Sequence, residues 1–281
     1  MKIAILLASY NGEKYISEQI ESIIKQTYSD WELFIRDDGS TDKTVEIIKN
    51  FSTTDDRIHY YDDSEKHIGA KKSFLKLLEN IDAELYLFCD QDDLWLPEKI
   101  EHSLQQYNEV REKDDVPIII HTDATVVDEK LNIISESYWK SAHIVPERYN
   151  SSYSLLAILS CVQGTTMLFN NKVKQLCFPL SEDIKLMHDS WVATRTIKAG
   201  GRIVALHEST ILYRQHSSNV YGVATGKELN FTSKLKSWRD VFDINKRKYS
   251  SLKHDNYGGL IKYLFNKARI SYYRFIVDRN I

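Results

Sequence analysis

Over its first hundred residues the chain alternates short apolar blocks with amphipathic stretches. Ile3–Ala8 is a continuous apolar run, the pattern of a strand buried on both faces. Ser9-Tyr10-Asn11-Gly12 breaks it, and Tyr15, Ile16, Ile20, Ile23 and Ile24 then recur at helical spacing. Trp31–Arg36 predicts a second strand, and Thr41 a cap for a helix carrying Val45, Ile47, Ile48 and Phe51. Ile58–Tyr61 predicts a third strand. Gly69 opens a helix through Leu78, and Leu85–Phe88 predicts a fourth strand that ends in acids. Pro97 suits the first residue of a helix to about Arg111. This alternation predicts parallel units with right-handed crossovers, whose ligands bind beyond the carboxyl ends of the strands.

After Pro117 the rhythm changes. Ile118–Ile120 predicts a strand, Thr122–Ile134 a strand pair, Gly164–Phe169 another strand and Asp189–Ala199 a helix. Arg202–Val204 and Ser209–Arg214 read as two further strands, and from about Leu229 the pattern is helical to the end. The expected organisation is a body over 1–226, split into halves 1–115 and 116–226, and an extension over 227–281.

Composition refines this. At 281 residues, 42% hydrophobic and 27% charged, the chain suits one large α/β domain with an appendage. The net charge of -3 is unevenly spread: 227–281 hold 13 Lys/Arg against 5 Asp/Glu, +8, which leaves -11 on the body. A basic, aromatic-rich helical tail can lie on a membrane surface, pack on the body or join a second subunit. Three cysteines with no CxxC pair speak against a disulfide framework or a thiolate zinc site. The apolar start is too short for a signal segment, and no stretch reaches roughly 18 apolar residues, so the expectation is a cytoplasmic protein, with the inner face of the membrane open to it.

Three polar breaks fall at the strand ends. Ser9–Glu13 does not match G-x-G-x-x-G, yet amides at a strand-to-helix junction can meet a nucleotide and Tyr10 can stack on a base; the same residues also make a plain turn. Asp37-Asp38-Gly39-Ser40-Thr41-Asp42 is a good turn, and a carboxylate there can accept the imide N–H of uracil or thymine. Asp90-Gln91-Asp92-Asp93 follows a hydrophobic strand directly. Residues two apart on an extended segment face the same way, so Asp90 and Asp92 can share a ligand, and clustered carboxylates favour a hard divalent cation.

These segments, with Gln26-Thr27-Tyr28 and Leu94-Trp95-Leu96-Pro97, resemble family 2 glycosyltransferases. The resemblance covers about residues 1–220 and implies the GT-A fold: a Rossmann-like, mostly parallel central sheet flanked by helices, here with a helical C-terminal extension. It implies inverting transfer from a nucleotide-sugar donor with Mn2+ or Mg2+. Ser9, Tyr10, Asn11, Glu13, Asp38, Lys72, Asp90, Gln91 and Arg214 are then expected at the donor, and Asp92, Asp90 and His216 at the metal. Asp189 of His188-Asp189-Ser190-Trp191 is expected as catalytic base; an acid at a helix start can also serve as an N-cap. Gly164, Thr165, His188 and Trp191 are expected at the acceptor, and His121 and Asp123 are weaker candidates for contact with donor or acceptor. The combination with Tyr213-Arg214-Gln215-His216 resembles the bacterial rhamnosyltransferase branch. That implies dTDP-L-rhamnose as donor and a saccharide, glycoprotein or lipid-linked acceptor in surface glycan synthesis, with no nucleic-acid partner. UDP-glucose, UDP-galactose or a UDP-N-acetylhexosamine is the alternative donor. A sugar-phosphate nucleotidyltransferase shares the layout but should carry a Gly-rich basic loop after the first strand, and Ser9–Gly12 is not one.

Overall fold

The computed structural model describes residues 1–111, 115–180, 186–216, 246, 249–250, 252–253 and 256–278. One sheet runs through it in the order β3-β2-β1-β4-β8-β6-β9-β5, with β7 beside β6. Its first half is parallel: β1 (Ile3–Ser9) pairs with β2 (Trp31–Asp37) and β4 (Leu85–Asp90), and β2 with β3 (Ile58–Tyr60). β8 (Met167–Asn170) turns antiparallel between β4 and β6 (Ile118–Val127), and β9 (Arg202–Arg214) runs parallel to β6. β5 (Leu94–Trp95) and β7 (Ile133–Ser135) add short antiparallel edges.

The apolar run of β1 explains the layering. Ile3, Ile5 and Leu7 enter one core with Ile16, Ile20 and Ile23 of α1 (Ile16–Ile24), Ile48 of α2 (Thr44–Thr54) and Ile100 of α4 (Lys99–Arg111). Ala4 and Leu6 enter the other, with Phe74 and Leu78 of α3 (Ala70–Asn80), Val173 of α8 (Asn171–Cys177) and Val192 of α9 (His188–Lys198). Each face of the strand has its own helical cover, so no polar alternation is needed.

Several local expectations shift. Thr41 does not cap α2; the Asp42 carboxylate accepts the Thr44 N–H at 3.0 Å instead, and the helix starts two residues later than a cap at Thr41 implies. Pro97 lies in the turn ahead of α4. Gly164–Thr166 forms a 3-10 turn before β8, and the two expected strands over 202–214 are one strand whose register to β6 shifts near Asp123. Of the helical stretch expected from Leu229, residues 229–245 lie outside the described residues; α10 (Leu260–Tyr272) and a π-helical turn (Tyr273–Val277) are described. They pack on the body: the Tyr257 hydroxyl donates to the Ser154 carbonyl at 2.8 Å, and Arg148 pairs with the buried Asp278 at 3.0 Å.

His121 and Asp123 belong to this framework. Asp123 accepts the Trp139 N–H at 3.1 Å and the Ser137 hydroxyl, anchoring α5 (Tyr138–Ser141) on β6. His121 is fully buried beside Trp139, with Asn150 at 3.0 Å from Nε2, and burial pushes its pKa down to about 3. The unfolded chain therefore takes up a proton near pH 6.5 that the folded chain refuses, and stability falls as pH drops through that window, by about 1.4 kcal/mol per pH unit for this group. His121→Leu is expected to flatten, without abolishing, the fall in Tm between about pH 6 and 4, because the buried His188, pushed down to about 4, adds a slope of the same sign. An unchanged slope would remove His121 from this account.

Candidate functional site

The polar breaks converge on one cleft of about 1230 Å³ at the carboxyl ends of β1, β2 and β4. The first loop forms its floor. Asn11, in the left-handed region at φ 47°, accepts the Thr41 N–H at 2.9 Å through its side chain, and its own N–H donates to Ser40 at 2.7 Å. Glu13 accepts the Lys43 N–H at 3.0 Å and does not line the cleft. The Ser9 hydroxyl is buried and donates to Asp37 at 3.1 Å. Ser9 and Asn11 thus present mainly backbone to the cleft. Tyr10 is half exposed, with its ring edge-on to His67 at 5.8 Å.

Asp38 lines the same wall, but its carboxylate already serves the protein. It accepts from Arg36 at 2.9 Å and from the N–H groups of Ile68 at 3.0 Å and Gly69 at 2.7 Å. Burial pushes the carboxyl up, but these donors outweigh it and hold its pKa below the usual value. Arg36, fully buried, also binds Asp63 at 2.9 Å and Ser73 at 2.8 Å. This network ties β2 to the start of α3.

Asp90, Gln91 and Asp92 all line the cleft at the end of β4, while Asp93 points into the core and accepts the Arg214 N–H at 3.1 Å. Gln91 clamps the first loop: its carbonyl accepts the Tyr10 N–H at 2.9 Å and its amide donates to the Tyr10 carbonyl at 3.1 Å. A Cβ on Gly12 would fall 2.3 Å from that Gln91 oxygen, so the close approach needs glycine. Burial, then the charges of Asp92 and Asp189, push the Asp90 carboxyl up to about 7. Asp92 and His216 meet at 2.8 Å, and the His216 ring tilts against Tyr15 at 5.0 Å.

Across the cleft stands Asp189, in the first turn of α9. The N-cap is Met187, with no side-chain bond, so Asp189 is not there to cap the helix. Its neighbour His188 is buried between Phe74, stacked at 4.1 Å, and Phe88, edge-on at 4.9 Å, with neither ring nitrogen bonded to the protein. A Cβ on Gly164 would lie 2.7 Å from His188 Nε2, which is why this turn accommodates the imidazole only with glycine. Thr165 lines the cleft with a buried hydroxyl beside the Asp93 carboxyl.

Besides Glu13, three expected residues face elsewhere. The Arg214 guanidinium pairs with Glu18 at 2.5 Å and sits 4.4 Å from the Tyr15 ring centre, away from the cleft. Lys72 lies on the exposed side of α3 because Ser73 and Phe74 take the inward face. Trp191 packs in the core, donating to the Cys177 carbonyl at 3.2 Å under Arg195. In turn, Lys14 lines the cleft beside Tyr15 and pairs with Glu129 at 2.8 Å; its place at the start of the first amphipathic helix was the available signal. Leu252 and Tyr263 of the C-terminal extension also reach the cleft wall, which no local pattern announces.

Asp92 and His216 supply a carboxylate and an imidazole at one point. Among the described residues no three His, Cys, Asp or Glu side chains close around a metal position. The pair would suit a hard divalent ion held only in part by the protein.

An uncharacterized glycosyltransferase, RT0329 of Rickettsia typhi, is 26% identical over 223 residues, 79% of this chain and 66% of that protein. The dTDP-rhamnosyl transferase RfbG of Shigella flexneri is 40% identical over 102 residues, 35% of each chain. This chain therefore spans from about a third to just under two thirds of the length of these two relatives. Among solved structures, S. aureus TarS in complex with UDP-GlcNAc superposes with a TM-score of 0.62 at 18% identity, over 90% of this chain and 66% of that one. The mannosyltransferase PcManGT of Pyrobaculum calidifontis, in complex with GDP-Man and Mn2+, gives 0.57 at 14%, over 79% and 58%. They share the GT-A fold with this protein. The sequence profile described as glycosyl transferase family 2 matches residues 4–175. By that match, over more than half its length, the chain belongs to glycosyl transferase family 2.

Proposed function

We propose that this chain transfers a sugar from a nucleotide-diphosphate donor to a saccharide hydroxyl with inversion at the anomeric carbon. The observation that carries the reading is the juxtaposition, across one cleft, of Asp90 and Asp92 with Asp189, whose charge is felt at Asp90. The first loop and the Asp38 wall hold the nucleotide through backbone groups, and Tyr10 offers a ring to the base. Asp92 and His216 would hold a Mn2+ or Mg2+ ion, which would supply positive charge to offset that of the leaving diphosphate. Asp189 accepts the proton of the acceptor hydroxyl as that oxygen bonds to the anomeric carbon and the bond to the diphosphate breaks.

The donor we favour is dTDP-L-rhamnose, on the RfbG similarity. A UDP-hexose or UDP-N-acetylhexosamine is the second reading, since the TarS structure carries UDP-GlcNAc. The acceptor is a saccharide of a surface glycan, free, on a protein or on a lipid. No described helix is long and apolar enough to cross a membrane. A thermal-shift series with dTDP- and UDP-sugars, with and without Mn2+, tests this: dTDP-L-rhamnose is expected to raise Tm most, and EDTA to cancel the effect. A larger shift with a UDP-sugar overturns the rhamnose assignment, and no shift with any nucleotide sugar overturns the reading as a whole.

A further inference from the structure

The C-terminal helix has three faces. Tyr263, Asn266 and Ile270 are buried against the body. Opposite them Ile261, Phe265, Phe275 and Ile276 are 85%, 63%, 58% and 67% exposed, with Leu264 and Tyr272 filling the stripe at 46% and 53%. At 3.6 residues per turn, Lys262 and Arg269 fall along one margin of that stripe and Lys267 and Arg274 along the other. No acidic residue occurs from Leu260 to Val277. Arg269 and Arg274 also brace the helix, on the Tyr273 hydroxyl at 3.1 Å and the Ala142 carbonyl at 2.8 Å, both neutral groups that leave the charge in place.

We infer that this outer face docks on a bilayer carrying anionic lipid head groups. An apolar stripe of this width, bordered on both sides by cations, buries its side chains at the level of the acyl boundary while the cations meet the head groups. Charge selects this occupant over a second copy of the chain: a two-fold pairing would set four cations against four, with no acid between them on either helix. The acidic body turns the remaining surface away from the same membrane, so the helix also fixes orientation. Tyr263 on the inner face lines the cleft, so docking sets that wall of the cleft beside the bilayer.

The test is sedimentation of the full chain with vesicles of phosphatidylcholine alone and with about 30% phosphatidylglycerol. Binding is expected to the anionic vesicles only and to weaken with added salt. Phe265→Asp with Phe275→Asp, and separately Lys262→Glu with Arg269→Glu, are each expected to lower partition by at least about tenfold. Both pairs should stay folded and keep the nucleotide-induced shift, the Lys/Arg pair at a slightly lower Tm because Arg269 no longer holds the Tyr273 hydroxyl; should the Phe pair fail to fold, the Lys/Arg pair decides. Equal binding to neutral vesicles, no binding at all, or retained binding in the folded variants overturns the inference. So does light scattering that shows a dimer dissolved by these substitutions in a protein indifferent to vesicles.

Discussion

Asp189→Asn is expected to lower sugar transfer by about a hundred- to ten-thousandfold, the range for removal of a positioned general base, while the donor-induced rise in Tm stays within error. The substitution keeps size and shape. The Ser190 N–H, 2.5 Å from Asp189 Oδ1, finds an amide oxygen in the same place. Helix α9 does not depend on this side chain for its start, because its N-cap is Met187. What changes is the ability to take up the acceptor's proton. The measurement is transfer rate beside thermal shift on the same preparation. Equal loss of both would make Asp189 a structural group and remove the base from the proposed mechanism.

Asp92→Asn is expected to remove most of the Mn2+-dependent stabilisation seen with a nucleoside diphosphate and to cut transfer by a factor of similar size. Three carboxyls crowd the end of β4. Burial and the neighbouring charges already push Asp90 up to about 7, and Asp93, buried deeper, well above its ordinary value. A cation at this point relieves repulsion that the protein otherwise answers by holding protons. Asp92 and His216 face each other at 2.8 Å, so losing the carboxylate leaves one side-chain ligand. Titration of Mn2+ against Tm in wild type, Asp92→Asn and His216→Ala reads this directly. An unchanged Mn2+ response in Asp92→Asn sinks the assignment.

The strand ends and the acidic run were legible because they rest on local pattern. A buried parallel strand is an apolar run, and whatever follows it must lie at the edge of the sheet, so Ser9, Asp38 and Asp90 were placed by position alone. Asp189 needed the resemblance, since an acid at a helix start has a plain structural use. Arg214 was misread for a different reason. Its place at a strand end was right, but its direction is set by Glu18, nearly two hundred residues earlier, and by the face of Tyr15. Lys72 could have been corrected from sequence: Ser73, Phe74, Leu77 and Leu78 mark the inward face of α3 and exclude it. Arg36 carried a signal too, a cation in a strand flanked by two buried neighbours, where a charge survives only with partners built around it. His188 and Tyr263 had none, because their surroundings come from segments far apart in the chain.

The Gln91 clamp bears on how the acidic run can be spelled. One side chain must accept from the Tyr10 N–H and donate to the Tyr10 carbonyl at once. A primary amide does both; an ionised glutamate could only accept and would add a fourth carboxyl group to a cluster of three. The neutral letter in Asp-Gln-Asp-Asp is thus dictated by the loop it faces, and the two chain segments behave as one part: whatever moves the acidic run also moves the backbone of the first loop.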